Sequence, residues 1–243
     1  MLVGCSLLLW TKKADFAAGI RQELRNRQLL TVKEVVVEGH YQTVKDDIVQ
    51  QLEVDPGMLL FDADLSLMRG RVERLPYVQT AQVCRQWPDR LMVSVAERVP
   101  VAMVNLDGLY YVDCHGQIFK RVEQGEEVDL PVLTGLNTEM LQKNPEAGRA
   151  MLTLGLAMLG CWQGEDDYAQ EGLSEIHLDD TFGLTIYTRR HAWQVELGLE
   201  AFGVKLQQWY KVVQYLGTEG NRAQRFDCRS SHAVVVGYQS AVQ

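Results

Sequence analysis

The succession of strand-like and helix-like segments between residues 31 and 98 restricts the fold of this chain more than any other feature of its sequence. Residues 31–38 are rich in β-branched side chains in rough alternation, and Gly39 ends them, which is typical of a strand. Two amphipathic segments with helical spacing follow. Thr43 and Asp64 precede them and are suited to cap the first turn of a helix. The sequence therefore predicts one strand and then two helices.

Two more strands complete this region. They are predicted over residues 78–87 and 90–98, and the tight turn Pro88-Asp89 joins them. Pro76 ends the helix before them, because proline interrupts helical hydrogen bonding. The order β-α-α-β-β over residues 31–98 predicts an α+β domain, in which a small sheet carries two helices on one face.

The region from residue 99 to residue 240 has a different pattern. Pro100 separates it from the strands before it, and short strands, hairpin turns and two helical segments follow. The helices are predicted over residues 139–160 and 200–215. The predicted strands span residues 101–105, 109–112, 117–120, 173–178, 184–188, 194–199, 224–228 and 233–238. We therefore predict a mixed β-domain with two helices.

The first ten residues form an uninterrupted apolar run, about half of the roughly 20 residues that a membrane-spanning helix needs. Three interpretations compete: a truncated transmembrane segment over residues 1–10, an unrelated hydrophobic start, and a lipoprotein-like box at residues 2–5. We prefer the truncated segment. Residues 11–30 are charged and have only a thin apolar stripe, so we predict a solvated linker helix there.

Composition and cysteine usage argue against two classes of protein. The formal net charge of −8 disfavours nucleic-acid binding, because such proteins present a basic surface to phosphate. The cysteines are odd in number, scattered and without a Cys-x-x-Cys pair, so neither a disulfide framework nor a zinc site is predicted. We interpret them as small buried hydrophobic residues, and one disulfide bridge stays open. They lie at positions 5, 84, 114, 161 and 228.

No combination of residues predicts catalysis, a cofactor, a metal site or a small-molecule substrate. The histidines share no repeated spacing. Helix capping explains Asp62 and Asp64, and a turn explains Asp179-Asp180. In Ser230-Ser231-His232 a hydroxyl and an imidazole are neighbours on a turn, where they cannot easily orient each other for nucleophilic catalysis. A periplasmic hydrolase is therefore the disfavoured enzyme alternative.

Motifs in the first region resemble a POTRA domain. Val35-Val36-Val37-Glu38-Gly39 with Thr43 resembles its opening "V-x-G … T … I", and Leu75-Pro76-Tyr77-Val78 has its proline and aromatic residue before a strand. The stretch Trp87-Pro88-Asp89-Arg90-Leu91, continued by Glu97-Arg98-Val99-Pro100-Val101-Ala102, resembles the "W-P-x-x-L" and "E-x-x-P-x-A" junction of the FtsQ/DivIB family. This combination is the most specific of the motifs.

Later motifs continue the resemblance to the FtsQ/DivIB family in the same order. Val112-Asp113-Cys114-His115-Gly116 is similar to "V-D-x-x-G", and Leu130-Pro131-Val132-Leu133-Thr134-Gly135 is similar to "L-P-x-L-x-G". Arg225-Phe226-Asp227-Cys228-Arg229 resembles the family's "x-x-D-L-R". The resemblance covers residues 31–238, and it implies a membrane-proximal POTRA domain over residues 31–98 followed by an FtsQ-type β-domain over residues 99–240.

The function that the resemblance implies is that of a non-enzymatic scaffold of the divisome. Such a protein is a single-pass protein of the bacterial inner membrane, with its bulk in the periplasm at the division septum. Its β-domain binds FtsB, and through FtsB it binds FtsL, both single-pass membrane division proteins. The alternative among binding proteins is a POTRA component of outer-membrane assembly or secretion, which would need tandem POTRA repeats or a barrel.

The final predicted strand is the candidate partner-binding site. It is short and apolar, and as a sheet edge it would offer unpaired backbone groups to a partner strand. Arg229 matches the arginine of the family motif and is expected to pair with an acidic partner residue. Val235→Pro is expected to remove a backbone donor from this edge. Ser230 stands where the family motif has an aromatic residue, and His232-Ala233 stands where the family has a glycine before the strand. The candidate residues are Arg229, Ser230, His232, Ala233, Val234, Val235, Val236, Gly237 and Tyr238.

Overall fold

The computed structural model describes residues 19, 21–24, 29–126, 128–168 and 170–238. The chain divides into two compact units, one ending at Arg98 and the other beginning at Val99. The predicted transmembrane segment over residues 1–10 lies outside the described residues, as does most of the predicted linker helix over residues 11–30, of which Gly19 and residues 21–24 are helical. No helix in the described part of the chain combines the length and apolarity needed to cross a bilayer.

The first unit has the predicted order β-α-α-β-β. Its three strands form one sheet with the order β1-β3-β2, in which β3 runs parallel to β1 and antiparallel to β2. The apolar faces of both helices pack with the strands into one core around Ile48, Met68 and Leu91. The elements are β1 (Glu34–Glu38), α1 (Lys45–Leu52), α2 (Leu65–Val72), β2 (Val78–Gln86) and β3 (Arg90–Glu97).

Two local predictions for this unit need correction. The first strand begins at Glu34 rather than at Thr31, because Thr31 forms only an isolated bridge with Leu59. Helix α1 has Val44 as its N-cap, without a side-chain hydrogen bond, so Thr43 is not the capping residue. The second cap is confirmed: the Asp64 carboxylate accepts hydrogen bonds from two backbone N–H groups in the first turn of α2.

The Glu97 carboxylate holds the turn before α1 in place of the predicted cap. Its Oε2 accepts hydrogen bonds from the backbone N–H groups of Tyr41, at 3.0 Å, and Gln42, at 2.8 Å, and its Oε1 accepts one from the N–H of Thr43 at 2.8 Å. Burial works against the charge, but the hydrogen bonds from Gln42, Thr43 and Tyr41 together hold the pKa of the carboxyl below its usual range. Glu97 therefore couples the end of β3 to the start of α1.

Glu97→Ala is expected to lower the free energy of unfolding of the first unit by about 1–2 kcal/mol at neutral pH, because three N–H groups lose a charged acceptor. Since the folded-state pKa is depressed, this stabilisation is present above the unfolded-state pKa, about 4.3, and is lost as the pH falls through the lower folded-state value. Urea unfolding of the full chain at several pH values checks both effects. Glu38→Ala, which removes an exposed acid at the end of β1, is the control. An equal effect of both substitutions would contradict the prediction.

The second unit contains one nine-stranded mixed sheet. Its strand order is β12-β11-β10-β9-β8-β7-β4-β5-β6, so β12 and β6 are its edges. Neighbouring strands pair antiparallel except for β4–β7, β7–β8 and β10–β11, which are parallel. The strands are β4 (Pro100–Asn105), β5 (Leu109–Asp113), β6 (Ile118–Arg121), β7 (Val132–Thr134), β8 (Leu173–Asp179), β9 (Gly183–Thr188), β10 (Gln194–Gly198), β11 (Ala223–Asp227) and β12 (Val235–Tyr238).

The helices of the second unit pack against one face of this sheet. They are α3 (Thr138–Lys143), α4 (Pro145–Gln163) and α5 (Phe202–Leu216), so the described part of the unit has three α-helices and not the two predicted. The predicted helix over residues 139–160 is interrupted at Asn144, whose side chain caps α4 by accepting a hydrogen bond from the N–H of Ala147. A cluster of buried aromatic rings joins both long helices to the strands: Trp162, Tyr168, Trp193, Trp209 and Phe226.

Candidate protein-binding site

Strand β12 forms one edge of the nine-stranded sheet. It pairs antiparallel with β11, and the register places Val235 opposite Asp227, Val236 opposite Phe226 and Gly237 opposite Arg225. No other strand among the described residues lies on its outer side. The strand begins at Val235, two residues later than predicted, but its position at a sheet edge is as predicted. Its outer backbone groups therefore have no strand partner within the described part of the chain.

The direction of these backbone groups follows from the neighbouring strands. The N–H of Cys228 donates to the carbonyl of Glu196 on β10 at 2.8 Å. Because backbone groups alternate in direction along a strand, Asp227 points towards β12 and bonds with Val235. The N–H of Val236 consequently points towards the free edge. The free donors are therefore the N–H groups of Val236 and, by the same alternation, Tyr238, and not that of Val235, which was predicted from the sequence.

The side chains of β12 alternate between the core and solvent. Val234 and Val236 pack against the core of the unit, whereas the side chain of Val235 points to solvent and is 66% exposed. Tyr238 shares the face of Val236 by this alternation, but at the end of the strand it is half exposed. The strand is thus fixed to the domain through one row of side chains. The other row and the outer backbone groups are accessible, which is the arrangement that β-augmentation requires.

A cluster of four charged side chains lies beside this edge on the sheet face opposite the helices. The Arg225 guanidinium pairs with the Glu196 carboxylate, with Nε 2.6 Å from Oε1. Arg229 forms two hydrogen bonds with Asp227, at 2.9 and 2.5 Å, and lies 3.6 Å from Glu196. The hydrogen bond from Arg229 lowers the pKa of Asp227. The cluster is internally neutralised, so the arginines do not present unpaired charge to a partner.

A shallow cavity of about 330 Å³ adjoins this cluster. The side chains that line it come from the turn after β8 and from β8 to β11, and they include His177, Phe182, Tyr187 and Gln194. Phe182 is an exposed aromatic residue at its rim. The sheet face from β8 to β11, the strand that neighbours β12, therefore combines an apolar ring with polar groups, a composition suited to a peptide side chain.

The predicted site residues form one continuous segment of the fold. Arg229 lies two residues after the end of β11, and Ser230, His232 and Ala233 belong to the connection that leads into β12. The Ser230 hydroxyl accepts a hydrogen bond from the backbone N–H of His232, so it supports the turn. The Gln208 side chain of α5 donates to the carbonyl of Ser231 and ties the connection to the helix.

Sequence reasoning missed Glu196 and Arg225 as members of the charged cluster. The alternation of Arg225, Asp227 and Arg229 along one strand is a local signal that could have placed these three on one face. Glu196 comes from the parallel partner strand, and only the pairing of β10 with β11 brings it to them. Cys228, between them, faces the core, and burial raises the pKa of its thiol to about 12.

Two further predictions concern metal and sulfur chemistry. In the described ranges no three His, Cys, Asp or Glu side chains gather to form a metal site. The four described cysteines, Cys84, Cys114, Cys161 and Cys228, are free thiols. Cys228 is buried as interpreted, but Cys84 and Cys114 are exposed, so the interpretation of all cysteines as buried hydrophobic residues is wrong for these two.

Comparison with known families gives two matches in chain order. The family model for the POTRA domain, FtsQ-type, matches residues 30–98, and the model for the cell division protein FtsQ/DivIB, C-terminal, matches residues 102–229. The second match ends at Arg229, so strand β12 lies beyond it.

Curated relatives named cell division protein FtsQ match most of the chain. The protein of Syntrophotalea carbinolica is 32% identical over 205 residues, which are 84% of this chain and 73% of the relative. That of Anaeromyxobacter sp. strain K is 35% identical over 81% of this chain and 66% of its own length. That of Myxococcus fulvus is 30% identical over 92% of this chain and 76% of its own length. With both domains matched in order, the chain belongs to the FtsQ/DivIB family of cell division proteins.

Proposed function

We propose that this chain is a non-enzymatic scaffold of the bacterial divisome. It consists of a POTRA domain over residues 31–98 and an FtsQ-type β-domain over residues 99–240, both in the periplasm at the septum. A single transmembrane helix, of which residues 1–10 form part, holds it in the inner membrane. Family membership supports the role in division, and the apolar run at the start of the sequence supports the anchor.

The partners proposed are FtsB- and FtsL-like single-pass division proteins, and the site is the β12 edge. The observation that carries this proposal is that no other strand of the described residues covers the outer side of β12, towards which the N–H groups of Val236 and Tyr238 point. A partner segment that adds a strand there would gain backbone hydrogen bonds from the edge. It would gain selectivity from Val235, Tyr238 and the adjoining cavity beside Phe182.

Depletion of the protein in its own cells tests the divisome role. The cells are expected to stop septation and grow into filaments, and a fluorescent fusion is expected to collect at midcell. A version that ends at Arg229, and so lacks β12, should reach the membrane but fail to restore division. Depleted cells of normal length, or cells whose only defect is in outer-membrane protein assembly, would contradict the proposal.

Arg229→Glu is expected to weaken binding of the FtsB-like segment by less than about tenfold, because its partners already neutralise a side chain that is 45% exposed. Arg229→Gln, which removes the charge without adding an acid beside Asp227 and Glu196, is the matched control and should have a smaller effect. Titration of the partner's soluble segment measures both. A loss of more than about a hundredfold for Arg229→Gln would show that Arg229 forms a buried pair with the partner.

A further inference from the structure

Among the tryptophans of the described residues, Trp87 is the one whose side chain is exposed to solvent. Its side chain at the tip of the β2–β3 hairpin is 58% exposed, whereas Trp162, Trp193 and Trp209 of the second unit are buried. An indole ring combines a large apolar surface with one N–H donor, and it is well suited to the boundary between water and an apolar phase. An exposed indole ring at a fixed position is therefore suited to contact with another molecule or with lipid, which would remove its apolar surface from water.

The hairpin that carries Trp87 is held firmly to the rest of the first unit. The Arg85 guanidinium donates to the carbonyl of Leu60 at 2.7 Å and to that of Ala63 at 2.6 Å, which ties the end of β2 to the loop before α2. In the turn itself, the carbonyl of Asp89 accepts a hydrogen bond at 2.8 Å from the backbone N–H of Lys33, the residue before β1. The ring therefore projects from a rigid support.

This tip lies at the end of the unit where the chain arrives from its amino-terminal side. Glu34, the first residue of β1, is opposite Arg90, the first residue of β3, and Lys33 contacts Asp89 in the turn. Leu29, which is also exposed, precedes β1 by five residues. The apolar segment over residues 1–10 thus leads, through the linker, to the end of the domain that displays Trp87.

The charges around the tip are paired with one another. Lys33 lies 3.3 Å from Asp89, and Arg90 lies 2.7 Å from Glu34. Because these charges are paired, the tip has no net basic patch that would attract anionic lipid. Electrostatic attraction therefore does not determine what this surface binds. An exposed tryptophan with balanced charges around it instead fits the headgroup zone of a bilayer, where tryptophan and tyrosine concentrate in membrane proteins.

We propose that the Trp87 tip lies in the interfacial zone of the membrane lipids and orients the first domain on the bilayer surface. The inference rests on the membrane attachment proposed above for residues 1–10. The indole ring of Trp87 inserts at the boundary between lipid headgroups and acyl chains, and charged side chains do not contribute to this contact. Contact of the tip with zwitterionic lipid should therefore equal that with anionic lipid and should be insensitive to salt.

The experiment measures quenching of tryptophan fluorescence by lipid brominated on its acyl chains. The full chain is used in a Trp10→Phe background, in which Trp87 is the accessible tryptophan of the residues described here. An amino-terminal hexahistidine tag on nickel-chelating lipid holds every variant at vesicles of dioleoyl phosphatidylcholine, with or without bromine. The tag makes the result independent of whether residues 1–10 insert, so failure of the anchor and failure of the inference are distinguishable.

The fluorescence of Trp87 is the difference between the Trp10→Phe protein and Trp10→Phe/Trp87→Phe. We expect brominated vesicles to reduce this difference by about half, as for an interfacial ring. The matched control adds Tyr41→Trp to the double variant, so that the reporting tryptophan is at position 41 instead of position 87. Tyr41 is 90% exposed, and it follows the far end of β1, about 15 Å from the tip end.

The reporter at position 41 should keep its fluorescence on brominated vesicles. Quenching at position 87 that is unchanged by added anionic lipid and by high salt is the result that the proposal predicts. Equal quenching at both positions would overturn it, because the domain would then have no preferred orientation. An unquenched Trp87 in the tethered protein would also overturn it, and would leave the ring as a surface for protein partners.

Discussion

Val236→Pro is expected to lower the affinity of this chain for its FtsB-like partner segment by about 30- to 150-fold, which corresponds to about 2–3 kcal/mol. The N–H of Val236 points to the free edge of the nine-stranded sheet, so proline removes a donor that the added strand would use. Proline at this position leaves the hydrogen bonds between Val235 and Asp227 intact. Isothermal titration with the partner's soluble segment measures the change.

Val236→Ala is the matched control for this prediction. It removes the two methyl groups of Val236 that pack against the core, so it loses at least as much apolar contact as the proline variant, but it keeps the backbone N–H. Its affinity should remain within about threefold of the original chain, because backbone donors rather than the Val236 side chain would bind the partner. Circular dichroism establishes that both variants fold. Equal affinity of the proline and alanine variants would contradict strand addition at this edge.

Gly135→Ala is expected to destabilise the second unit by more than about 3 kcal/mol. Gly135 follows β7 with a φ of +89°, and a Cβ there would lie 1.9 Å from the carbonyl oxygen of Leu178 on β8. Both the backbone conformation and the close approach of the two strands exclude a side chain. Because β7 and β8 lie in the middle of the sheet, the strain would reach the whole unit.

Gly125→Ala separates the two causes of this effect. Gly125 also has a positive φ, +94°, but a Cβ there would meet nothing within 4 Å. This substitution should cost only about 1–2 kcal/mol for the left-handed conformation. Urea unfolding followed through the buried tryptophans of the second unit compares the variants. Similar destabilisation by the two substitutions would show that the close contact between Gly135 and the Leu178 carbonyl adds nothing to the cost of the left-handed conformation.

The local order of elements was predictable because their signals are short-range. Alternating β-branched residues, the Asp64 cap and the Pro88-Asp89 turn each act within a few residues, and the first unit follows them closely. The break between α3 and α4 had a local signal as well, since the residue before Pro145 disfavours helical geometry. The apolar periodicity on both sides of Asn144 concealed it.

The parts that sequence reasoning missed depend on pairing across the sheet. Strand β7 has only three residues, and its place between β4 and β8 comes from parallel partners distant in the chain. The same holds for the cluster that joins Glu196 to Arg225. Whether Val235 or Val236 offers its N–H to the free edge depends on the register of β12 with β11. Apolar composition alone cannot distinguish these alternatives.

Hydrogen exchange of single backbone amides in β12 tests the central claim most directly. With the partner's soluble segment at about 100 times its Kd, the amides of Val236 and Tyr238 should exchange about 100-fold more slowly than in the free chain. The amides of Val235 and Gly237, which already bond to β11, should change much less. This alternating pattern, read by heteronuclear NMR, is the result that strand addition predicts. A partner that binds while the Val236 amide exchanges at its original rate would contradict it.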